Sequence, residues 1–119
     1  MTTIFLPRPP SLNNIYVNVH KRGRVKTEEY RTWLRAASND IAAQKPLKVP
    51  GEVEITVAIG PRRGDLDNRI KPILDCLVVN GVIDDDKNVT AITARWATED
   101  GARVTITPRA AKTARRAAA

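Results

Sequence analysis

The residues with the clearest capacity for chemistry form an acidic block between residues 65 and 86. The block has two basic and six acidic side chains, a net charge of −4, whereas the whole chain of 119 residues carries +7. Asp65 and Asp67 are two positions apart, which puts both side chains on the same side of an extended segment. On a helix, Asp67, Lys71 and Asp75 share one face because they recur every four residues. Carboxylates that converge repel one another, so the block predicts a cation among them.

Magnesium is the cation that this donor set favours, with manganese as a second choice. Both are hard ions that bind carboxylate, water and phosphate oxygens. Zinc is disfavoured, because His20 is the one histidine and Cys76 lies on the apolar side of a predicted helix. Metal ions held by aspartates in a basic protein indicate phosphodiester chemistry, in which the metal activates water. Lys71 is suited to stabilise the developing negative charge or to orient that water.

Each fragment of the acidic pattern also has an ordinary structural explanation. An Asp-x-Asp pair can cap a helix or lie at the surface, and Lys71 with Asp75 can be a solvated helix pair. The run from Asp84 to Asp86 fits an exposed loop. The residue types alone therefore leave a metal site and these structural roles open.

Periodicity and turn residues predict the elements that position the block. Thr27 is a predicted helix N-cap, since Glu28 and Glu29 follow it at the positive end of the helix dipole. Pro72 falls inside the second predicted helix, where it costs a hydrogen bond or introduces a kink. The predicted strands are Thr3–Leu6, Glu52–Ile59 and a final pair, Val89–Ala97 and Ala102–Thr107, joined as a hairpin. The other predicted elements are a basic hairpin over residues 16–26, a helix from Thr27 to about Gln44, and a helix from about Asn68 to Val79.

This order of elements predicts an α/β fold of the α+β kind. We expect one small domain, residues 1–107, with a mixed sheet of about four strands and two helices packed on it. Residues 108–119 form a basic, Ala- and Arg-rich tail with little to bury, which we expect to be disordered in isolation.

The overall charge and the single cysteine narrow the class of protein. A net charge of +7 and a pI near 10.1 favour a polyanionic partner, usually nucleic acid. One cysteine cannot form an internal disulfide, which indicates a reducing compartment. We find no apolar run of membrane-spanning length and no signal peptide at the N-terminus, so we expect a cytoplasmic protein without a membrane partner.

Taken in order, the motifs resemble the RusA family of Holliday junction resolvases. The resemblance covers roughly residues 4–107. The residues that carry it are Asp65-Leu66-Asp67-Asn68, Lys71, Asp75, Leu77, Gly81-Val82-Ile83, Asp85-Asp86 and Val89, with Pro9-Pro10-Ser11 and Asn13-Asn14 upstream.

The resemblance implies a small magnesium-dependent endonuclease that acts as a homodimer and resolves four-way DNA junctions by paired nicks. Such proteins occur in bacteria and are often encoded by prophages, with a role in DNA recombination, repair or phage DNA processing. Carried over to this chain, Asp65 and Asp67 match the paired metal-binding aspartates and Lys71 matches the catalytic lysine. Asp86 matches the third metal-binding, catalytic aspartate, with Asp85 beside it as a second possible ligand.

The resemblance and the charge pattern also suggest residues around the site, namely two further aspartates and a set of predicted DNA contacts. Asp75 matches a recurrent helix aspartate that we expect to have a supporting role, and Asp84 is an additional aspartate in the loop. The predicted DNA contacts are Arg62, Arg63, Arg69 and Lys87 near the cut phosphate, Lys21, Arg22, Arg24 and Lys26 in a second patch, and Asn13 and Asn14. Each of these residues could instead be an ordinary solvated or turn residue.

Two other functions remain possible from the residues themselves. One is a non-catalytic protein that binds DNA junctions or shapes DNA, with the acidic block purely structural. The other is a metal-dependent phosphohydrolase of small nucleotides, which the large basic excess disfavours because a small substrate needs no extended positive surface.

Overall fold

The computed structural model describes residues 1–109, and it places a four-stranded sheet, a separate two-stranded hairpin and two α-helices in that range. This confirms the predicted α+β class and the mixed sheet. The strands are β1 (Thr2–Leu6), β2 (Tyr16–Val19), β3 (Gly23–Lys26), β4 (Val53–Gly60), β5 (Val89–Trp96) and β6 (Gly101–Pro108), and the helices are α1 (Glu28–Gln44) and α2 (Ile70–Val79).

The large sheet has the strand order β1-β6-β4-β5. Strand β4 pairs in parallel with β5 and antiparallel with β6, and β6 pairs antiparallel with β1. The predicted hairpin between the last two strands is therefore wrong, because β4 lies between them. The connection after β5 crosses the end of β4, where the Ala97 N–H donates to the Ile59 carbonyl at 2.7 Å. Gly60 permits this crossing, since a Cβ there would collide with the backbone oxygens of Ala97 and Glu99.

Helix α1 forms as the sequence predicts and covers the sheet with its apolar face. Thr27 caps it, because the Thr27 Oγ1 accepts a hydrogen bond from the Tyr30 N–H at 3.1 Å. Trp33, Ala37 and Ile41 are buried on the face that contacts the core. The core residues of β4 and β6 are almost completely excluded from solvent, so α1 and α2 are held against one aliphatic layer.

Helix α2 begins later than the sequence predicts, and this removes the difficulty with Pro72. A 3₁₀ turn occupies Leu66–Arg69, and α2 starts at Ile70 rather than Asn68. Pro72 is therefore the third residue of the helix, where a backbone N–H has no partner within the helix. The proline costs no hydrogen bond there, and its ring is buried.

The two edges of the large sheet differ. At β1 the side chain of Gln44 occupies the outer edge: the Phe5 N–H donates to Gln44 Oε1 at 2.8 Å, and Gln44 Nε2 donates to the Phe5 carbonyl at 2.7 Å. At β5 no further strand pairs with the outer edge within residues 1–109. The residues from Thr90 to Thr93 are exposed on both faces of the strand. Strand β5 is thus the accessible edge of this sheet.

The last strand extends into the segment that was predicted to be a tail. Pro108, which was predicted to begin the tail, is the last residue of β6. The remaining part of that prediction, residues 110–119, lies outside the residues that the structure describes. In the described part, neither helix is both long and apolar enough to cross a membrane.

Candidate active site

Lys71 lies between two carboxylates that come from different parts of the chain. Its Nζ is 3.0 Å from Asp75 Oδ1, one helical turn further along α2, and 3.2 Å from Asp86 Oδ2, in the 3₁₀ turn before β5. The hydrogen bond to Asp75 and the one to Asp86 raise the pKa of Lys71, against the opposing effect of partial burial. Lys71 is therefore a cation at working pH and joins the helix to the loop.

The three consecutive aspartates of the loop have three different partners. Asp84 accepts a hydrogen bond from the Gly51 N–H at 3.1 Å, and Asp85 accepts one from the Lys87 N–H at 3.1 Å. Asp86 is left to face Lys71. A hydrogen bond shared with Asp85, together with the pairing to Lys71, holds the pKa of Asp86 below its usual value. Asp84 and Asp85 thus shape the loop, while Asp86 points toward the lysine.

Tyr30 supports this arrangement from the core. Its ring is fully buried, and its hydroxyl donates to Asp75 Oδ2 at 2.8 Å. Burial and the neighbouring Asp75 raise the pKa of Tyr30 far above its ordinary value, so the phenol remains a donor. Hydrogen bonds and ion pairs therefore connect Tyr30, Asp75, Lys71 and Asp86 in that order. The sequence pattern does not indicate this contact of Tyr30, although a buried tyrosine hydroxyl usually has a partner.

Asp65 and Asp67 lie just beyond the end of β4 and are both exposed. Asn68 Nδ2 is 3.5 Å from Asp65 Oδ2. Asp67, Lys71 and Asp75 were predicted to share one helix face, and only part of this face forms. Lys71 pairs with Asp75, but within the described chain no ion pair links Lys71 to Asp67. The reason is that Asp67 belongs to the 3₁₀ turn rather than to α2, so α-helical spacing does not connect it to Lys71.

The carboxylates fit a magnesium ion by their chemistry but do not form a preassembled cage. Exposed Asp65, Asp67 and Asp86 supply the hard oxygen donors that such an ion prefers. In the region covered by the structure, no group of three or more His, Cys, Asp or Glu side chains is arranged to hold a metal. The positive charge beside Asp86 is the ammonium group of Lys71.

Basic side chains lie on both sides of these carboxylates. Arg62 and Arg63 are exposed in the turn after β4, and Lys87 is exposed with its Nζ 4.0 Å from Asp85. Arg69 is partly buried, and its Nη1 donates to the Pro9 carbonyl at 2.8 Å. All four residues were predicted to contact DNA near the cut phosphate, and their positions bracket the acidic residues.

The second predicted patch lies on the β2–β3 hairpin. The Arg24 guanidinium lies over the Tyr16 ring, 4.4 Å from its centroid, and Asn13, Tyr16 and Arg24 line one groove. Lys26 lines a neighbouring groove together with Asp75 and Asp86. The two grooves share Tyr16, so the hairpin borders the acidic site. Lys21 and Arg22 are exposed at the turn of the hairpin, and Asn14 accepts a hydrogen bond from Thr27 through its carbonyl at 2.6 Å.

The fold and site together define a class: a small, basic α+β domain with a lysine held among carboxylates and flanked by arginines. The chain belongs to the RusA family, because the family model described as Endodeoxyribonuclease RusA matches residues 7–108. This confirms the resemblance drawn from the motifs. Membership assigns the chain to the Holliday junction resolvases, which are nucleases acting on junction DNA. A search of curated proteins finds no match.

Proposed function

We propose that this protein is a magnesium-dependent endonuclease that resolves Holliday junctions by paired, symmetric nicks. The observation that carries the proposal is the position of Lys71, 3.0 Å from Asp75 and 3.2 Å from Asp86, in a chain of this nuclease family. Manganese, which prefers similar ligands, is expected to replace magnesium. Cytoplasmic action on recombination, repair or phage DNA intermediates in a bacterium fits this activity.

The proposed roles follow from the chemistry of each side chain. Asp65, Asp67 and Asp86 would hold the metal, with Asp85 as an alternative ligand. When bound, magnesium supplies an activated water and positive charge at the phosphate. Lys71 would stabilise negative charge as it develops on the phosphate or orient the water.

Asp75 has a different role in this proposal. Its side chain is largely buried, with 23% of its surface exposed, and it accepts hydrogen bonds from Tyr30 and pairs with Lys71. It therefore fixes the position of the ammonium group, whereas Asp86 pairs with the same ammonium group and is 45% exposed to solvent. Asp75 supports the site and does not itself contact the substrate.

Two nicks in opposed strands require two active sites, so we propose a homodimer. Strand β5 is the surface on which a second copy would pair, because Gln44 already bonds to Phe5 at the outer edge of β1. Arg95 is the one charged residue in β5, so two antiparallel copies could pair there with little repulsion despite a chain charge of +7. Sedimentation equilibrium should give a dimer, and Ile92→Lys should give a monomer. A monomeric wild-type protein, or a dimeric variant, would contradict this arrangement.

The test of the activity uses synthetic four-way junctions and linear duplexes of the same sequence, each with magnesium, with manganese or with a chelator. We expect paired nicks in the junction, little cutting of the duplex, and no cutting with the chelator. Equal cutting of both substrates would refute the resolvase proposal. Junction binding without nicks under either ion would instead support a non-catalytic junction-binding protein.

A matched pair of variants tests the role of the acidic residues. Asp67→Asn should keep junction binding but lose cleavage, because the metal site loses a charge while the basic surface is unchanged. Asp40→Asn is the control, since Asp40 is exposed on α1 and its loss changes the net charge equally. If Asp67→Asn cleaved at the wild-type rate, the metal role of Asp67 would be wrong.

A further inference from the structure

Three arginines from separate parts of the sequence lie together beside the acidic site. Arg8 Nη2 is 3.5 Å from the Arg63 carbonyl, and Arg69 Nη1 donates to the Pro9 carbonyl, one residue after Arg8. Arg69 Nη2 also lies close to Gly64, at 3.7 Å from the position of a Cβ there. These contacts join the segment after β1 to the turn after β4. Arg8 was not among the residues that the sequence analysis assigned to DNA binding.

The positive charges of Arg8 and Arg63 act on the Arg69 guanidinium. Partial burial and then the charges of Arg8 and Arg63 lower the pKa of Arg69, and only Glu29 acts in the opposite direction. Within residues 1–109, no carboxylate forms an ion pair with any of the three arginines. A concentrated positive charge without an anion costs free energy in the isolated protein.

The hydrogen bonds of these arginines are also incomplete. The Nε atoms of Arg8 and Arg69 are buried and have no hydrogen-bond partner in the described part of the chain. Buried donors without acceptors are uncommon because each loses its hydration without compensation. Two independent observations, the unneutralised charge and the unpaired donors, therefore point to an anionic ligand that accepts several hydrogen bonds.

We propose that Arg8, Arg63 and Arg69 form a phosphate-binding site. The planar guanidinium group presents paired donors that match phosphate oxygens, which makes three arginines a strong site for a phosphodiester. Arg63 is two residues before Asp65, and Arg69 is two residues after Asp67. A phosphate bound here therefore lies next to the carboxylates. The identification of that phosphate as part of a DNA backbone rests on the proposed nuclease function.

The first experiment tests phosphate binding without any DNA. Thermal unfolding of the full chain is followed in inorganic phosphate and in chloride at equal ionic strength. Because a ligand that binds only the folded state stabilises it, phosphate should raise the Tm of the wild-type protein above its value in chloride. Arg8→Gln should lose most of this difference. Arg35→Gln, which removes an exposed positive charge from α1, should keep it.

The second experiment tests the source of the phosphate. Junction binding is measured against salt concentration in the presence of a chelator, so that no cutting occurs. Each phosphate neutralised adds about 0.9 to the slope of log K against log salt. Arg8→Gln should therefore lower the slope by about one, and Arg63→Gln, whose side chain is exposed, should do the same.

The outcomes separate this proposal from the nuclease function. No phosphate effect on the wild-type Tm, or the same effect in Arg8→Gln and wild type, would refute the site. A slope that falls equally in Arg35→Gln and Arg8→Gln would also refute it, because the cluster would then act as ordinary surface charge. Phosphate binding lost in Arg8→Gln, in a protein that fails to cut junctions, would support the site and refute the proposed nuclease.

Discussion

Replacing Tyr30 by phenylalanine tests whether the core holds Lys71, the proposed catalytic lysine, in place. The substitution removes one hydroxyl, which donates to Asp75 Oδ2 at 2.8 Å, and keeps the buried ring. Asp75 in turn holds Lys71 at 3.0 Å. We expect Tyr30→Phe to destabilise the fold and to slow junction cleavage, since Asp75 loses the bond that fixes its carboxylate.

The size of the stability effect follows from the type of hydrogen bond. A hydrogen bond to a charged group contributes about 1.5–3 kcal/mol, and the lower figure applies here because Asp75 keeps its pairing with Lys71 and some contact with water. The unfolding entropy of a domain of about 110 residues is about 0.23 kcal/mol per kelvin. A loss of about 1.5 kcal/mol therefore lowers the Tm by about 6 °C.

The pH dependence provides a second signature of the same hydroxyl. Because the pKa of Tyr30 is raised in the folded state, the unfolded chain releases this proton first, above about pH 10. The protonated Tyr30 hydroxyl therefore contributes its full share of the unfolding free energy below about pH 10, and this contribution is lost as the pH rises further. Tyr30→Phe lacks this loss, so the difference in unfolding free energy between the two proteins should narrow above about pH 10.

The assays are denaturant unfolding across this pH range and single-turnover junction cleavage with enzyme in excess. We expect the cleavage rate of Tyr30→Phe to fall by about tenfold, with junction affinity unchanged, because a displaced ammonium group weakens a contact made during the reaction. Tyr16→Phe is the control, since no hydrogen bond of the Tyr16 hydroxyl is present within residues 1–109. Wild-type Tm and rate in Tyr30→Phe would show that Asp75 holds its position without Tyr30.

Two further predictions concern the core and the sheet. Burial raises the pKa of Cys76 to about 11, so a thiol reagent at neutral pH should leave the folded protein unmodified and react only in concentrated guanidinium chloride. Reaction without denaturant would refute this. Gly60→Ala should cost about 1–3 kcal/mol of unfolding free energy, because its methyl group meets the Ala97 and Glu99 backbone. The loss should exceed that of Gly23→Ala, where a Cβ has open space and the cost comes only from the φ of +72°, and an equal or smaller loss would contradict the crossing described at Gly60.

The sequence predicts those elements whose signals are local. The strand predicted over Glu52–Ile59 and the Thr27 cap of α1 depend on neighbouring residues; the strand forms over Val53–Gly60, and the cap is confirmed. The pairing of β5 with β6 is wrong because a turn signal reports a reversal of the chain and not which strand lies alongside. The turn after β5 leads across the end of β4, and strand order is decided by contacts distant in sequence.

In the candidate site, too, local contacts are predictable from the sequence and contacts between distant residues are not. Lys71 and Asp75 could be paired from their spacing, because both lie in α2. The resemblance assigns Lys71 and Asp86 to one site, but their contact is not predicted, since fifteen residues separate the two. Arg8 could not be placed beside Arg69 from the sequence, because the two lie sixty-one residues apart and the contact depends on how the segment after β1 passes the turn after β4.

The side chain of Gln44 has a consequence for how many copies can assemble. It satisfies both the N–H and the carbonyl of Phe5, whereas no further strand pairs with the outer edge of β5 within residues 1–109, so β5 is the more accessible edge for extending the sheet. Growth from one edge ends after a single symmetric pairing, whereas growth from two edges continues into a fibre. In the proposed dimer, the Gln44 amide on α1 would favour a closed pair over an open polymer, and Gln44→Ala would weaken that limit.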